Sequence, residues 1–427
     1  MSSGQRLRSG QPGASSFIGW LAILYCVLVV YGTLFPLAEW KTPAVGWTNP
    51  ITMPWPRTAS HSDLFVNVLA YLPLGLLATL WLRTRLGLAT AALLAALFGG
   101  GLSLALETLQ NALPSRVPSS LDWATNTAGA TLGALLATAL DPKLPTGRKL
   151  LDWRKAWFVD GALANLALII LALWVMTQAA PFVPSLDWGN LKAGLKPFGN
   201  TLHHPASFKA IASMEYGLQL FALGLLAMNI ARHRLFFPFI AFTLLVLLYK
   251  VPVVGRHLSA EALLGWGAAM ILLLLPVKTL PGRALLAIAA LLAAHALAQF
   301  ESGRDAATHA LNWIPFKQQV GSLVGMSDIL ETLWPFMAVG LLVRLMTPWR
   351  WRITVLFIGS LVLALFVFAL EWMQQSIPGR FADITDVLLA VLGWAFPWLL
   401  ADNGTRRVEA KPVPSPRMMR WAVPPEA

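Results

Sequence analysis

The sequence predicts an all-α, polytopic membrane protein with about twelve transmembrane helices in three four-helix repeats. Three observations carry this. Of 427 residues, 57% are hydrophobic and only 12% charged, with mean hydropathy +0.63; soluble domains carry about 25% charge. The apolar residues form continuous runs of roughly 18–22, not alternating ones, which selects helices over a barrel as the way to satisfy the backbone in hydrocarbon. A polar pattern is also written twice. "ALETLQNALPSRVPSSLDW" from Ala105 and "ALEWMQQSIPGRFADITDV" from Ala369 align without a gap at an offset of 264.

In chain order, an apolar run from Phe17 to Pro36 follows Arg6 and Arg8 and lacks a small-residue cleavage site, so it reads as a retained first helix over 17–36. A long loop follows, carrying Trp40, Trp47 and Trp55. The next helix, 62–82, opens near Asp63 and places Asp63, Asn67 and Tyr71 on one face. A tight turn with Arg83 and Arg85 leads to 87–108, where Gly99–Gly101 reads as a packing surface. Glu107 and Gln110 share a face at its far end. The fourth helix, 121–140, lines up Asp122, Asn126, Gly129 and Gly133, and its glycines permit close helix contact.

These helices make a first unit, 1–145. A third unit, 282–402, repeats it with helices over 284–300, 328–346, 353–372 and 384–401. There Asp328 matches Asp63, and Glu371, Gln374, Arg380 and Asp386 match Glu107, Gln110, Arg116 and Asp122. Between them, 146–281 is an eroded copy with helices over 157–178, 212–231, 235–250 and 258–276. Arg256 matches Arg380, Glu261 stands near the Asp386 slot, and Tyr249 and Lys250 replace the Glu/Gln pair. Residues 403–427 are basic and Pro-rich, and are expected to be disordered.

The net charge of +12 is a membrane-orientation signal and not a nucleic-acid footprint. With the N-terminus cytoplasmic, 21 of the 32 basic residues fall in short inner segments, the rest in longer outer loops. That bias places both termini in the cytoplasm of a bacterial inner membrane. The only cysteine, Cys26, excludes an intramolecular disulfide. The seven histidines show no ligand spacing, so neither a metal nor another cofactor is called for. Trp40, Trp47, Trp55, Trp188 and Trp313 fall in outer loops, where they read as interface anchors or as parts of amphipathic loop helices.

The repeated cluster admits three readings. Arg116 and Arg380 tie their loops to Glu107/Asp122 and Glu371/Asp386 as partly buried ion pairs. Alternatively, each arginine holds an anionic group, which its forked guanidinium suits. In the third reading a carboxylate acts as general base beside the arginine. No G-x-S-x-G or H-E-x-x-H motif supplies an activated nucleophile or zinc site. The candidate ligand-binding residues form two related sites facing outward, Asp63, Asn67, Tyr71, Glu107, Gln110, Arg116, Asp122 and Asn126 in one and Asp328, Glu371, Gln374, Arg380 and Asp386 in the other.

The E-x-x-Q, Pro-x-Arg and Asp spacing resembles the VanZ-like family. The first unit supplies Asp63, Asn67, Tyr71, Pro73 and Gly75, then Glu107 through Gly133. The third supplies Asn312, Ile314, Pro315 and Phe316, then Asp328 through Asp386. Ala390 stands where the first unit has Asn126, and Phe336 where it has Tyr71. The resemblance implies a cell-envelope membrane protein linked to glycopeptide (teicoplanin) resistance or envelope polysaccharide processes. Membrane lipids, a lipid-linked glycan or polysaccharide-assembly proteins would be its partners. An enzyme acting on a lipid-linked intermediate is the alternative, and a transporter a third class.

Overall fold

A computed structural model describes residues 12–35, 40–43, 46–56, 61–179, 185–233, 235–301, 307–319 and 323–399. The tail, Arg6 and Arg8 lie outside the described residues. Those described form fourteen α-helices and no sheet. In order they are α1 (Pro12–Leu34), α2 (His61–Leu82), α3 (Leu88–Gln110), α4 (Ser120–Ala139), α5 (Pro145–Trp157), α6 (Ala162–Ala179), α7 (Trp188–His203), α8 (Ala210–Ile230), α9 (Phe236–Tyr249), α10 (Ala260–Leu272), α11 (Leu280–Ala298), α12 (Leu323–Met346), α13 (Arg352–Gln374) and α14 (Ile384–Leu399).

Seven of these, α2, α3, α6, α8, α11, α12 and α13, are long and apolar enough to cross a membrane. Shorter apolar stretches occupy α1, α9, α10 and α14. α4 has the length but carries Asp122, Asn126 and four threonines, and it packs between α2 and α3. Each of the twelve expected helices has a counterpart, but the expected 258–276 shortens to α10 and 284–300 begins earlier, as α11.

α5 was not expected, and α7 begins at Trp188, where an amphipathic loop helix was one of the two readings. Their apolar residues are too few and too interrupted by charge to register as spans. α5 carries Lys149, Asp152, Arg154 and Lys155, and α7 carries Lys192 and Lys196. Pro145 suits the first turn of α5. Asp187 caps α7, its carboxylate accepting from Gly189 N at 2.9 Å and Asn190 N at 3.3 Å. Both helices are amphipathic.

α2 and α4, α8 and α10, and α12 and α14 cross closely, and glycine is the reason. A Cβ on Gly129 or Gly133 would collide with the α2 carbonyls of Val68 or Leu72. One on Gly393 would press on Leu333 O of α12, and one on Gly265 would collide with Ser213 O of α8. Small residues let helix backbones approach where no hydrophobic drive separates lipid from protein. In the Gly99–Gly101 run, Gly99 and Gly100 face Ala130 and Thr127 of α4, while Gly101 meets nothing within 4 Å.

The N-terminal four helices hold their own core around Tyr71, Leu74, Leu106 and Ala130. The remaining helices share one core that includes Trp174, Phe221, Leu247, Leu291, Trp334 and Trp394. Its first helices are exchanged. α6 packs mainly on α12 rather than α8, and α11 packs mainly on α8 rather than α12. At the opposite ends from the polar cluster, Arg83 pairs with buried Asp141 at 3.1 Å, joining the ends of α2 and α4. Arg154 and Arg232 converge on Asp160 at 2.6 and 2.9 Å.

Candidate functional site: two matching polar clusters and one cavity

The N-terminal cluster is a set of braces. Glu107, 2% exposed at the end of α3, accepts through Oε2 from Ser119 N at 2.9 Å. Ser119 is the N-cap of α4, and its hydroxyl accepts from Asp122 N. Asp122 Oδ1 in turn accepts from Asn67 Nδ2 of α2 at 2.9 Å. Gln110 donates to Thr33 O at 3.1 Å, and Arg116 donates from Nε to Phe35 O at 3.0 Å and from Nη2 to Gly32 O at 3.3 Å. Asn126 donates to Ser103 Oγ at 3.0 Å inside the bundle. Tyr71 is buried in the apolar core. Asp63 lies on α2, but its side chain is outside the described residues.

The C-terminal cluster repeats these bonds. Glu371, fully buried, accepts through Oε2 from Asp383 N at 2.9 Å, as Glu107 does from Ser119 N 264 positions earlier. Its Oε1 accepts from Gln374 at 2.7 Å. Gln374 also reaches Gln299 at the end of α11, and Arg380 Nε donates to Glu301 O at 2.8 Å. Asp386 accepts from Thr332 of α12 at 3.3 Å, the counterpart of the Asn67–Asp122 bond. Asn312 threads the "NWIPF" loop into this cap by donating to Asp383 and pairing with Ala382 and Ile384.

One expectation is corrected. Neither Arg116 nor Arg380 forms an ion pair with its clustered Glu and Asp among the described residues. Arg116 donates instead to carbonyls at the C-terminal end of α1, and Arg380 to Glu301 O, three residues past α11. A helix C-terminus leaves its last carbonyls without intrahelical partners, and a cation there also meets the negative end of the dipole.

Residues between 178 and 261 make part of the same scheme. Lys250, at the Gln374 slot, donates to Gln178 at the end of α6 (3.2 Å) and to Tyr216 (3.1 Å). Glu261 accepts from Lys209 N at 3.1 Å. Gly255 and Gly379 both take positive φ, 75° and 72°, immediately before Arg256 and Arg380. Arg256, however, crosses to α12, donating to Ser327 Oγ at 2.7 Å and approaching Glu331 at 3.7 Å.

Middle and C-terminal groups open onto one cavity of about 900 Å³ between α8, α11 and α12. Gln374, Arg380, Asp386 and Asp328 line it, as do Lys250, Arg256 and Glu261. Sequence reasoning missed other lining groups: Glu215 and Gln219 on α8, Glu331 on α12, Gln319, and Asn200 on α7. His295 is also at the wall, its ring edge-on to Phe336 at 4.9 Å. A lone Glu in each of α8 and α12 was the available signal. The N-terminal cluster contributes nothing to this cavity. No group of His, Cys, Asp and Glu among the described residues is arranged to hold a metal.

Residues 22–141 match the family model VanZ/LLP1. No curated protein and no solved structure matches the chain. The matched stretch spans the body of α1 and all of α2, α3 and α4, with the cluster from Asn67 to Asn126. The chain thus carries a VanZ-like unit at residues 22–141.

Proposed function

We propose that this multi-pass membrane protein binds an amphiphilic ligand, anionic or glycan-bearing, at the outer leaflet of the bacterial inner membrane. In this reading it has twelve spans in three VanZ-like units and cytoplasmic termini. Its role belongs with the glycopeptide-resistance or envelope-polysaccharide processes that the resemblance implies. The observation that carries the reading is the polar cavity. Ligand pockets run to about 300–1,000 Å³, and this one combines that size with charged and amide groups at the ends of apolar helices. A polar head enters such a space while a lipid tail stays among the helices' apolar faces. Arg256, Arg380 and Lys250 also stand at the wall, each already donating to groups of the protein.

Mass spectrometry of membrane lipids and lipid-linked glycans tests this. Three strains are compared: wild type, a deletion, and the deletion complemented with Asp328→Asn/Glu331→Gln protein at matched abundance. A glycan-bearing species altered alike in the deletion and the variant supports the reading. A deletion profile identical to wild type contradicts it.

A further inference from the structure

We propose that the middle and C-terminal units together form one site, and that the head it takes is a sugar rather than a phosphate or an amine. This rests on the binding reading above and specifies its ligand.

The first argument is geometric. The exchange of α6 and α11 brings the second helices α8 and α12 to opposite sides of the same space. Each carries a glutamate nine residues before its Gly-Leu-Leu: Glu215 before Gly224 and Glu331 before Gly340. Both line the cavity. Glu215 accepts from Gln219 at 2.9 Å and Glu331 from Ser327 at 2.8 Å. Half of the wall therefore comes from the copy whose sequence has eroded furthest. Losing its Glu/Gln pair has not removed it from the site.

The second argument is chemical. Seven carboxyl side chains and seven Asn or Gln amides line the cavity, against four Lys or Arg. Acceptors are in excess. Phosphate brings mainly acceptors and meets the carboxylates unfavourably. An ammonium brings donors but meets Lys209, Lys250, Arg256 and Arg380. A sugar brings many uncharged hydroxyls, each able to donate to a carboxylate and accept from an amide or a cation.

The test uses the full chain in phosphatidylcholine nanodiscs, titrated calorimetrically with three amphiphiles that share one tail: dodecyl maltoside, dodecyl phosphate and dodecylammonium. Dodecyl maltoside is expected to bind saturably and about tenfold or more tighter than the other two, a margin of about 1.4 kcal/mol. Glu215→Gln and Glu331→Gln are each expected to weaken it about tenfold, the worth of one charge-assisted hydrogen bond. Asn200→Ala, a change at an exposed side chain on α7 that does not endanger folding, is expected to weaken it several-fold. Weakening by Glu331→Gln alone, with Glu215→Gln and Asn200→Ala unchanged, would overturn the shared site and leave the binding reading standing. Preference for the phosphate or ammonium head would overturn the sugar assignment and leave the cavity a binding site. Equal, non-saturable uptake of all three would overturn both.

Discussion

Arg116 and Arg380 look in sequence like anion anchors, yet each spends its Nε on a backbone carbonyl just past the end of a helix. Arg116→Ala is therefore expected to destabilise the fold by about 1.5–3 kcal/mol, the range for hydrogen bonds to charged groups. Arg116→Lys should recover only part of this, because a compact ammonium lacks the planar guanidinium whose Nε and Nη2 reach Phe35 O and Gly32 O. Thermal melts in detergent or nanodiscs read this directly. The same logic separates two carboxylates. Glu371→Ala leaves the buried Asp383 N–H without its acceptor and is expected to cost about 1–3 kcal/mol. Asp328→Ala, at an exposed cavity-wall position, is expected to stay within about 0.5 kcal/mol. At this scale the sequence shows the residues and their spacing, since 264 positions separate matching bonds. It does not show their partners, because backbone carbonyls carry no residue identity.

Among the elements, the apolar helices were legible because a membrane demands long uninterrupted hydrophobic runs. α5 was not, because an amphipathic helix in a loop needs only one half-buried face, and α7 was signalled only by Trp188. The Asp122, Asn126, Gly129 and Gly133 face was read as a contact surface, and α2 packs there. Gly129→Leu and Gly393→Leu are expected to push α2 from α4 and α12 from α14. Overpacking costs about 1–3 kcal/mol, visible as a lower melting temperature or loss of a monodisperse peak. Gly101→Ala is the opposite case. Nothing lies within 4 Å of its added Cβ, so the better helix propensity of alanine should stabilise by about 0.5–1 kcal/mol. A destabilised Gly101→Ala would indicate a neighbour on that face of α3.

For the whole molecule, the two matching polar patterns were legible but their surroundings were not. The expectation was two related sites, one on each pattern. The N-terminal cluster packs with its own bundle, while the C-terminal cluster opens with residues 177–261 onto the cavity. Only the exchange of α6 and α11 brings α8 and α12 around one space, and no local spacing encodes that exchange. The proposed topology makes a separate prediction. In a Cys26→Ser background, Thr84→Cys in the α2–α3 turn should react with a membrane-impermeant thiol reagent only after lysis, and Asn200→Cys on α7 should react in intact cells. The reverse pattern would invert the protein.

Native mass spectrometry of the protein, released from nanodiscs made with its own membrane lipids, tests the central claim most directly. The account predicts a glycan-bearing lipid adduct on the wild type that is lost from both Glu215→Gln and Glu331→Gln while the proteins stay folded. An adduct spectrum identical in all three, or one showing no glycan-bearing species on the wild type, would contradict it.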